Sequence, residues 1–207
     1  MTRINTNTKN DDGFTLVELL ISISIITVLL SVVLYNYGQF NDNLALSSAG
    51  QEMAIAIRQA QTYGINVREI SVGTGNFTAA YGVYFNPGSN PSNYYIFADT
   101  DGNKAYNAGS GCGTGNTECV EQLTLRNGVK ITSICDGTNT CPPPPGGSSV
   151  KNMTVTYTRP NPDASINFLN NGGQIKASSP TGKVTLTSPK LKTLTVTIES
   201  TGQVSVQ

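Results

Sequence analysis

Three hydrophobic patterns follow one another along the chain, and each predicts a different element. Residues 14–37 hold no proline and no glycine, and Leu19–Gln39 carries no charge. Roughly 20 apolar residues cross the ~30 Å hydrocarbon core as a helix, so this segment is predicted to span a membrane. It ends in SVVLYNYGQFNDN, with tyrosines at interfacial depth and no small-x-small cleavage site, so the span is expected to stay in the mature protein. Past Gly38, the residues Leu46, Ala49, Met53, Ile57, Ala60, Gly64 and Val67 recur at intervals of three or four. That spacing marks one apolar stripe of an amphipathic helix continuing to about residue 69. Unbroken from Phe14, it would be roughly 80 Å long, its outer half lying against a sheet.

From residue 80 the period falls to two. The stretches AYGVYFN, NYYIFAD, VEQLTLR, VKITSI, KNMTVTYTR, KVTLTS, LKTLTVTIE and QVSVQ are rich in β-branched and aromatic residues and bounded by turn formers. Arg126-Asn127-Gly128-Val129 is an Asn-Gly hairpin signal, and Ser200-Thr201-Gly202-Gln203 resembles another. The prediction is an α+β protein: a long N-terminal helix packed on an antiparallel β-rich head. Residues 1–13 form a polar leader, 14–37 the membrane helix, 38–70 its amphipathic continuation and 71–207 the head. Two low-complexity stretches, 109–119 and 141–149, read as loops.

Composition narrows the chemistry. The chain has no histidine, which removes Ser-His-Asp and Cys-His nucleophile pairs and the commonest ligand for zinc or iron. No convergent acid pair replaces them, and an enzyme is not expected. Charge is uneven: nine acids face five bases between Phe14 and Ser148, whereas Lys151, Arg159, Lys176, Lys183, Lys190 and Lys192 face only Asp163 and Glu199 beyond. Scattered lysines on a solvated sheet explain that excess. The alternative is a nucleic-acid surface, though no aromatics interleave with the lysines of 176–192. Arg3 and Lys9 precede the span and no Lys or Arg follows it before Arg58, which places the N-terminus in the cytoplasm and the head outside.

One acid, Glu18, stands at the edge of the apolar run, where a charge at the centre of a membrane helix would cost about 2.5–3.5 kcal/mol. The stretch Gly13-Phe14-Thr15-Leu16-Val17-Glu18, leading into LLISISIITVLL, resembles the N-terminal signal of type IV prepilins and type II secretion pseudopilins. In that family a polar leader ends in Gly, followed by Phe and by an acid five residues beyond the Gly. The segment ALSSAGQEMAIAIRQAQTYGINV is weakly similar to the minor pseudopilin or FimT-like branch.

The resemblance implies a pilin fold, cleavage after Gly13 by prepilin peptidase, and N-methylation of Phe14. It also implies a structural subunit of a pilus or secretion-like pseudopilus, in the inner membrane and then in an extracellular filament. Its partners would be sibling subunits, prepilin peptidase, the assembly machinery and membrane lipid; a DNA-uptake pilin using the basic C-terminal region is the alternative. In the filament, Glu18 would meet the Phe14 amine of a neighbour, the rival reading being an acid that merely complements the helix dipole.

Two further sets concern the head. In an exported domain, Cys112, Cys119, Cys135 and Cys141 are expected as disulfides. Of three connectivities, Cys112–Cys119 with Cys135–Cys141 is preferred because each pair would pin one loop. A Cys₄ zinc site fits the spacings poorly. Asp99, Asp101 and Asn103 alternate like calcium-loop oxygens, and some pseudopilins hold calcium in a head loop. Gly102 falls too early for an EF-hand, and an Asp-Gly turn with no cofactor is the preferred reading.

Overall fold

A computed structural model describes residues 13–66, 69, 78–107, 112, 118–141 and 150–207. The leader up to Asp12, Val67 and the loop residues 113–117 and 142–149 lie outside the described residues. The chain divides into two compact units, Met1–Asn41 and Asp42–Gln207. One helix, α1 (Leu16–Ile65), contributes residues to each.

In the first unit, α1 begins at a cap. The Glu18 N–H donates to Thr15 Oγ1 at 3.2 Å, and the Leu19 N–H to the Thr15 carbonyl at 3.2 Å. Thr15 is thus the N-cap and satisfies one of the orphan donors of the first turn. The helix then runs through Ile- and Val-rich sequence that is mediocre for helix in water. Its apolar side chains are uniformly exposed, from Leu16 to Leu34 at half their surface or more. It is long and apolar enough to cross a membrane. In hydrocarbon only a helix or a closed barrel satisfies every backbone group, so a membrane would enforce the helix that propensity favours only weakly.

In the second unit the expected stripe faces inward: Leu46, Ala49, Met53, Ile57, Ala60 and Gly64 are all buried, joined by Ala45 and Ala56. Two antiparallel sheets form the rest of the core with them. Sheet A contains β1 (Ala80–Phe85), β2 (Asn93–Asp99), β3 (Cys119–Thr124), β5 (Asn152–Thr158), β6 (Asn161–Leu169) and β7 (Ile175–Ser179), in the order β3-β2-β1-β5-β6-β7. Sheet B contains β4 (Lys130–Asp136), β8 (Thr181–Thr187), β9 (Thr193–Glu199) and β10 (Val204–Val206), in the order β10-β9-β8-β4. Helix and strands approach closely where the helix carries glycine. A Cβ on Gly64 would lie 2.6 Å from the Tyr157 carbonyl oxygen, and one on Gly50 2.6 Å from Leu194 Cδ2.

The two sheets differ in their second face. Sheet B is covered once: in β8, Gly182, Val184 and Leu186 are buried and alternate with half-exposed Thr181, Lys183, Thr185 and Thr187. The central strands of sheet A are buried at almost every position, which an antiparallel sheet shows only when both faces are covered. Val83, Phe85, Tyr94, Ile96, Met153 and Val155 belong to the core shared with α1. On the opposite face Tyr84, Tyr95 and Phe97 form a second cluster closed by Tyr106, whose ring lies 5.0, 5.4 and 5.5 Å from theirs.

Several sequence expectations need correction. β6 and β7 are strands that the two-residue pattern did not announce, because Asn161-Pro162-Asp163 opens β6 with turn formers and β7 is short and polar. Asn127 and Gly128 do adopt positive φ, 54° and 72°, and the Val129 N–H closes the turn on the Arg126 carbonyl at 3.1 Å. Yet β3 and β4 belong to different sheets, so this turn carries the chain across the head instead of making a hairpin. The second signal holds: β9 and β10 pair, with the Gly202 N–H on the Glu199 carbonyl at 2.9 Å.

Candidate assembly helix and head loops

Gly13, Phe14 and Thr15 precede the helix and have no regular secondary structure. Phe14 is 81% exposed, and a Cβ on Gly13 would meet nothing within 4 Å. The Gly13–Phe14 bond is therefore outside the hydrogen-bonded ladder, the state a peptidase needs at its scissile bond. The fold imposes no demand for glycine there. If Gly13 is required, the requirement belongs to whatever acts on it.

Glu18 occupies the N3 position behind the Thr15 cap. Thr-x-x-Glu is also the sequence of a capping box, a signal that overlaps the GFTLVE motif and makes Thr15 a structural residue in its own right. An acid in this turn complements the helix dipole by roughly 0.3–1 kcal/mol. That is smaller than the ~2.5–3.5 kcal/mol set against a carboxylate at the centre of a membrane helix.

Further along, the hydroxyls of the apolar run are all engaged by the helix itself. Ser22 donates to the Glu18 carbonyl at 2.8 Å, Ser24 to Ile21 at 2.8 Å, Thr27 to Ile23 at 2.7 Å and Ser31 to Thr27 at 2.8 Å. Each hydroxyl hydrogen is thereby satisfied within the helix, which lowers the penalty of placing the group in hydrocarbon.

In the head, the loop following β2 gathers three carboxylates. Oxygens of Asp99, Asp101 and Glu118 lie within 4.8 Å of one another. The Asp-x-Asp-x-Asn spacing brings in Asp99, Asp101 and Asn103 but misses Glu118, which the chain returns to this place just before β3. The available signal was its position beside Cys119. Asp99 Oδ1 accepts the Gly102 and Asn103 N–H groups at 2.9 and 3.1 Å, and Oδ2 accepts that of Lys104 at 2.9 Å. Glu118 Oε1 accepts from the Thr100 N–H and hydroxyl, and Oε2 from the Asn107 N–H at 2.8 Å. Asp101 Oδ2 accepts the side-chain amides of Asn103 and Asn107 at 2.7 and 2.9 Å. Asn103 Oδ1 is turned to the Ala105 N–H at 2.6 Å.

Burial raises the carboxyls of Asp99 and Glu118 above the ordinary range, against the lowering effect of these N–H donors. The oxygens are of the type a hard cation takes, but calcium needs six to eight of them. Here N–H donors already surround all three carboxylates, and the Asn103 and Asn107 amides approach Asp101 through their NH₂ ends. As arranged, the loop is a self-capped turn anchored by Tyr106, and the donor set does not fit a calcium cage.

The cysteines pair as Cys112–Cys119 and Cys135–Cys141, with Cα separations of 5.1 and 4.4 Å. The first bridge ties the segment before β3 to its first residue, next to Glu118. The second closes the turn after β4, where Asp136 Oδ1 accepts the N–H groups of Thr138 and Thr140. The basic residues of the C-terminal third are spread over separate elements. Lys151 precedes β5, Arg159 lies in the β5–β6 turn, Lys176 in β7, Lys183 in β8, and Lys190 and Lys192 in the β8–β9 loop. Several are held locally: Lys183 Nζ donates to Asn139 Oδ1 at 2.5 Å, Lys176 Nζ to Gln174 at 3.4 Å and Lys192 Nζ to Asn43 at 2.8 Å.

Residues 8–34 match the family model of the prokaryotic N-terminal methylation motif, a stretch that covers the end of the leader, the Gly13–Phe14 bond, Glu18 and most of the apolar run. No curated protein and no solved structure matches the chain.

Proposed function

We propose that this type IV pilin- or pseudopilin-type protein, so classed by its methylation motif, is an assembly subunit of a pilus or a type II secretion-like pseudopilus. Such motif-bearing proteins are structural rather than enzymatic, and an inner-membrane anchor and filament assembly fit the apolar helix. The chain enters the membrane with its N-terminus in the cytoplasm, is cut after Gly13 by prepilin peptidase, and is methylated on the new Phe14 amine. Subunits then pack through α1 while the β head is displayed outside.

The observation that carries this reading is the pairing of an unwound, exposed Gly13–Phe14 bond with a helix whose apolar side chains are exposed all round. A helix apolar on every side needs lipid or copies of itself as its surroundings. Glu18 supplies register: after cleavage the Phe14 amine of one subunit is a cation at the depth of its neighbour's carboxylate. The dipole offsets only part of the cost of that acid, and the contact formed on assembly recovers part of what is left.

Intact-mass and N-terminal analysis of the membrane form tests the class. A mature chain beginning with N-methyl-Phe14 is expected; a chain that keeps Met1 overturns it.

A further inference from the structure

Four cations lie on two neighbouring turns of the head. The β3–β4 turn carries Arg126 and Lys130, and the β8–β9 loop carries Lys190 and Lys192. The turns abut: Lys130 is registered opposite Thr187, and a Cβ on Gly128 would lie 2.9 Å from Pro189 Cγ. The adjoining turn at 86–92 is joined to them, with the Ile131 N–H on the Pro91 carbonyl at 2.7 Å and the Leu125 N–H on Ser92 at 2.8 Å. Residues 86–92, 125–130 and 188–193 contain those four cations and no carboxylate. At the tip, Leu191 is 83% exposed and has a φ of 62°, a left-handed backbone that leucine rarely adopts.

This cluster is pinned to the start of the second unit. The Ser188 hydroxyl donates to the buried Asp42 carboxylate at 2.5 Å, the Lys192 N–H to Ser188 Oγ at 3.2 Å, and Lys192 Nζ to Asn43. Asp42 is buried and its carboxylate is engaged from this loop. Only residues 38–41 separate it from Tyr37 at the end of the apolar run. Whatever path those residues take, connectivity alone keeps Asp42 within about 18 Å of Tyr37. A tryptophan- or tyrosine-marked end of a span sits at headgroup level, so connectivity leaves the loop bonded to Asp42 within reach of the lipid surface.

We propose that the Arg126–Lys130 turn and the Ser188–Lys192 loop form a foot by which the head rests on anionic phospholipid before assembly, with Leu191 entering the interface. This rests on the reading that α1 spans a membrane. Charge complementarity selects the partner: lysine and arginine beside an anionic bilayer are attracted within a Debye length, and an apolar tip between lysines suits the boundary of headgroups and acyl chains. The foot also accounts for the part of the C-terminal basic excess that Lys190 and Lys192 supply, without nucleic acid.

The test uses the full chain in vesicles, labelled at Leu191→Cys with an environment-sensitive fluorophore, with a lipid-borne quencher. Strong quenching is expected in vesicles of equal phosphatidylcholine and phosphatidylglycerol, and little in phosphatidylcholine alone. The triple variant R126Q/K130Q/K190Q, which spares the Lys192–Asn43 contact, should lower the lipid-contacting population by about fivefold per cation removed. Its unchanged melting temperature would certify the fold. A label at Ile25→Cys, inside the apolar run, must be quenched in both vesicles. If it is and Leu191→Cys is not, the foot is refuted while the span stands; if neither is quenched, both fall. Equal quenching at position 191 in neutral vesicles, or shielding that grows with protein density instead of anionic lipid, would assign Leu191 to plain apolar burial or to a neighbouring subunit and overturn the proposal.

Discussion

Replacing Glu18 with glutamine isolates its charge from its shape. The acid sits at N3 behind Thr15, one turn from Phe14, so its carboxylate keeps about 0.3–1 kcal/mol of dipole stabilisation in any surroundings. The full membrane cost, about 2.5–3.5 kcal/mol, is a ceiling reached only at the centre of a span. The difference leaves at most about 1.5–3 kcal/mol for a partner to recover, roughly 10- to 200-fold in an equilibrium constant. Glu18→Gln removes both the cost and the contact. The single subunit should therefore insert at least as well, and the Thr15 cap, which uses the backbone N–H of residue 18, should persist. Cleavage and methylation, read by intact mass, should stay largely intact. The yield of sheared filaments should fall, by ~10-fold or more where the full cost applies, since the proposed contact is made only on assembly. Filaments at the normal level would refute the role in register and leave Glu18 as a dipole residue.

Three further outcomes test the head. Gly64→Ala gains about 1 kcal/mol of helix propensity but places a Cβ 2.6 Å from the Tyr157 carbonyl oxygen, a collision with backbone that overpacking series put at about 1–3 kcal/mol. The net loss is then up to about 2 kcal/mol, lowering the melting temperature by roughly 2–4 °C per kcal/mol, and a raised value would contradict the close approach. Burial holds Asp99 and Glu118 above their ordinary values, so the unfolded chain ionises first as pH rises. Stability is then fully present below the unfolded pKa and is lost as pH climbs through the folded one. The melting temperature should be higher at pH 5 than at pH 7, and Glu118→Gln should flatten that slope; a fall on acidification would reverse the sign. Asp101 and Asp136, which are lowered, act oppositely but only below about pH 4. Finally, EDTA should leave the melting temperature unchanged, because N–H donors already satisfy the Asp99–Asp101–Glu118 carboxylates. A drop of several degrees, reversed by calcium, would assign the loop to a cation.

Local chemistry was legible in the sequence, and long-range pairing was not. The stripe Leu46–Gly64 could be read because one helix face must bury what it repeats. Strands β1, β2, β5, β8 and β9, and with them β3, β4 and β10, announce themselves by their β-branched and aromatic residues between turn formers. The division into two sheets could not be read, since Asn127-Gly128 specifies a turn conformation but not which neighbours the flanking strands choose. β6 escaped because its opening residues are turn formers held in a sheet by β5 on one side and β7 on the other. Glu118 escaped for a related reason. Its link to Asp99 and Asp101 is made by the fold bringing β2 and β3 together, not by any spacing in the chain.

The inward-turned hydroxyls of Ser22, Ser24, Thr27 and Ser31 have a mechanical consequence. With those donors folded back on the helix, the run keeps hydroxyl oxygens as acceptors but offers no side-chain donor. If copies of the rod pack as proposed, ridges and grooves set the local fit while few directional bonds fix the offset along the run. A lone charge near one end would then act as a detent on a greased shaft, fixing where the sliding stops without stiffening the shaft itself.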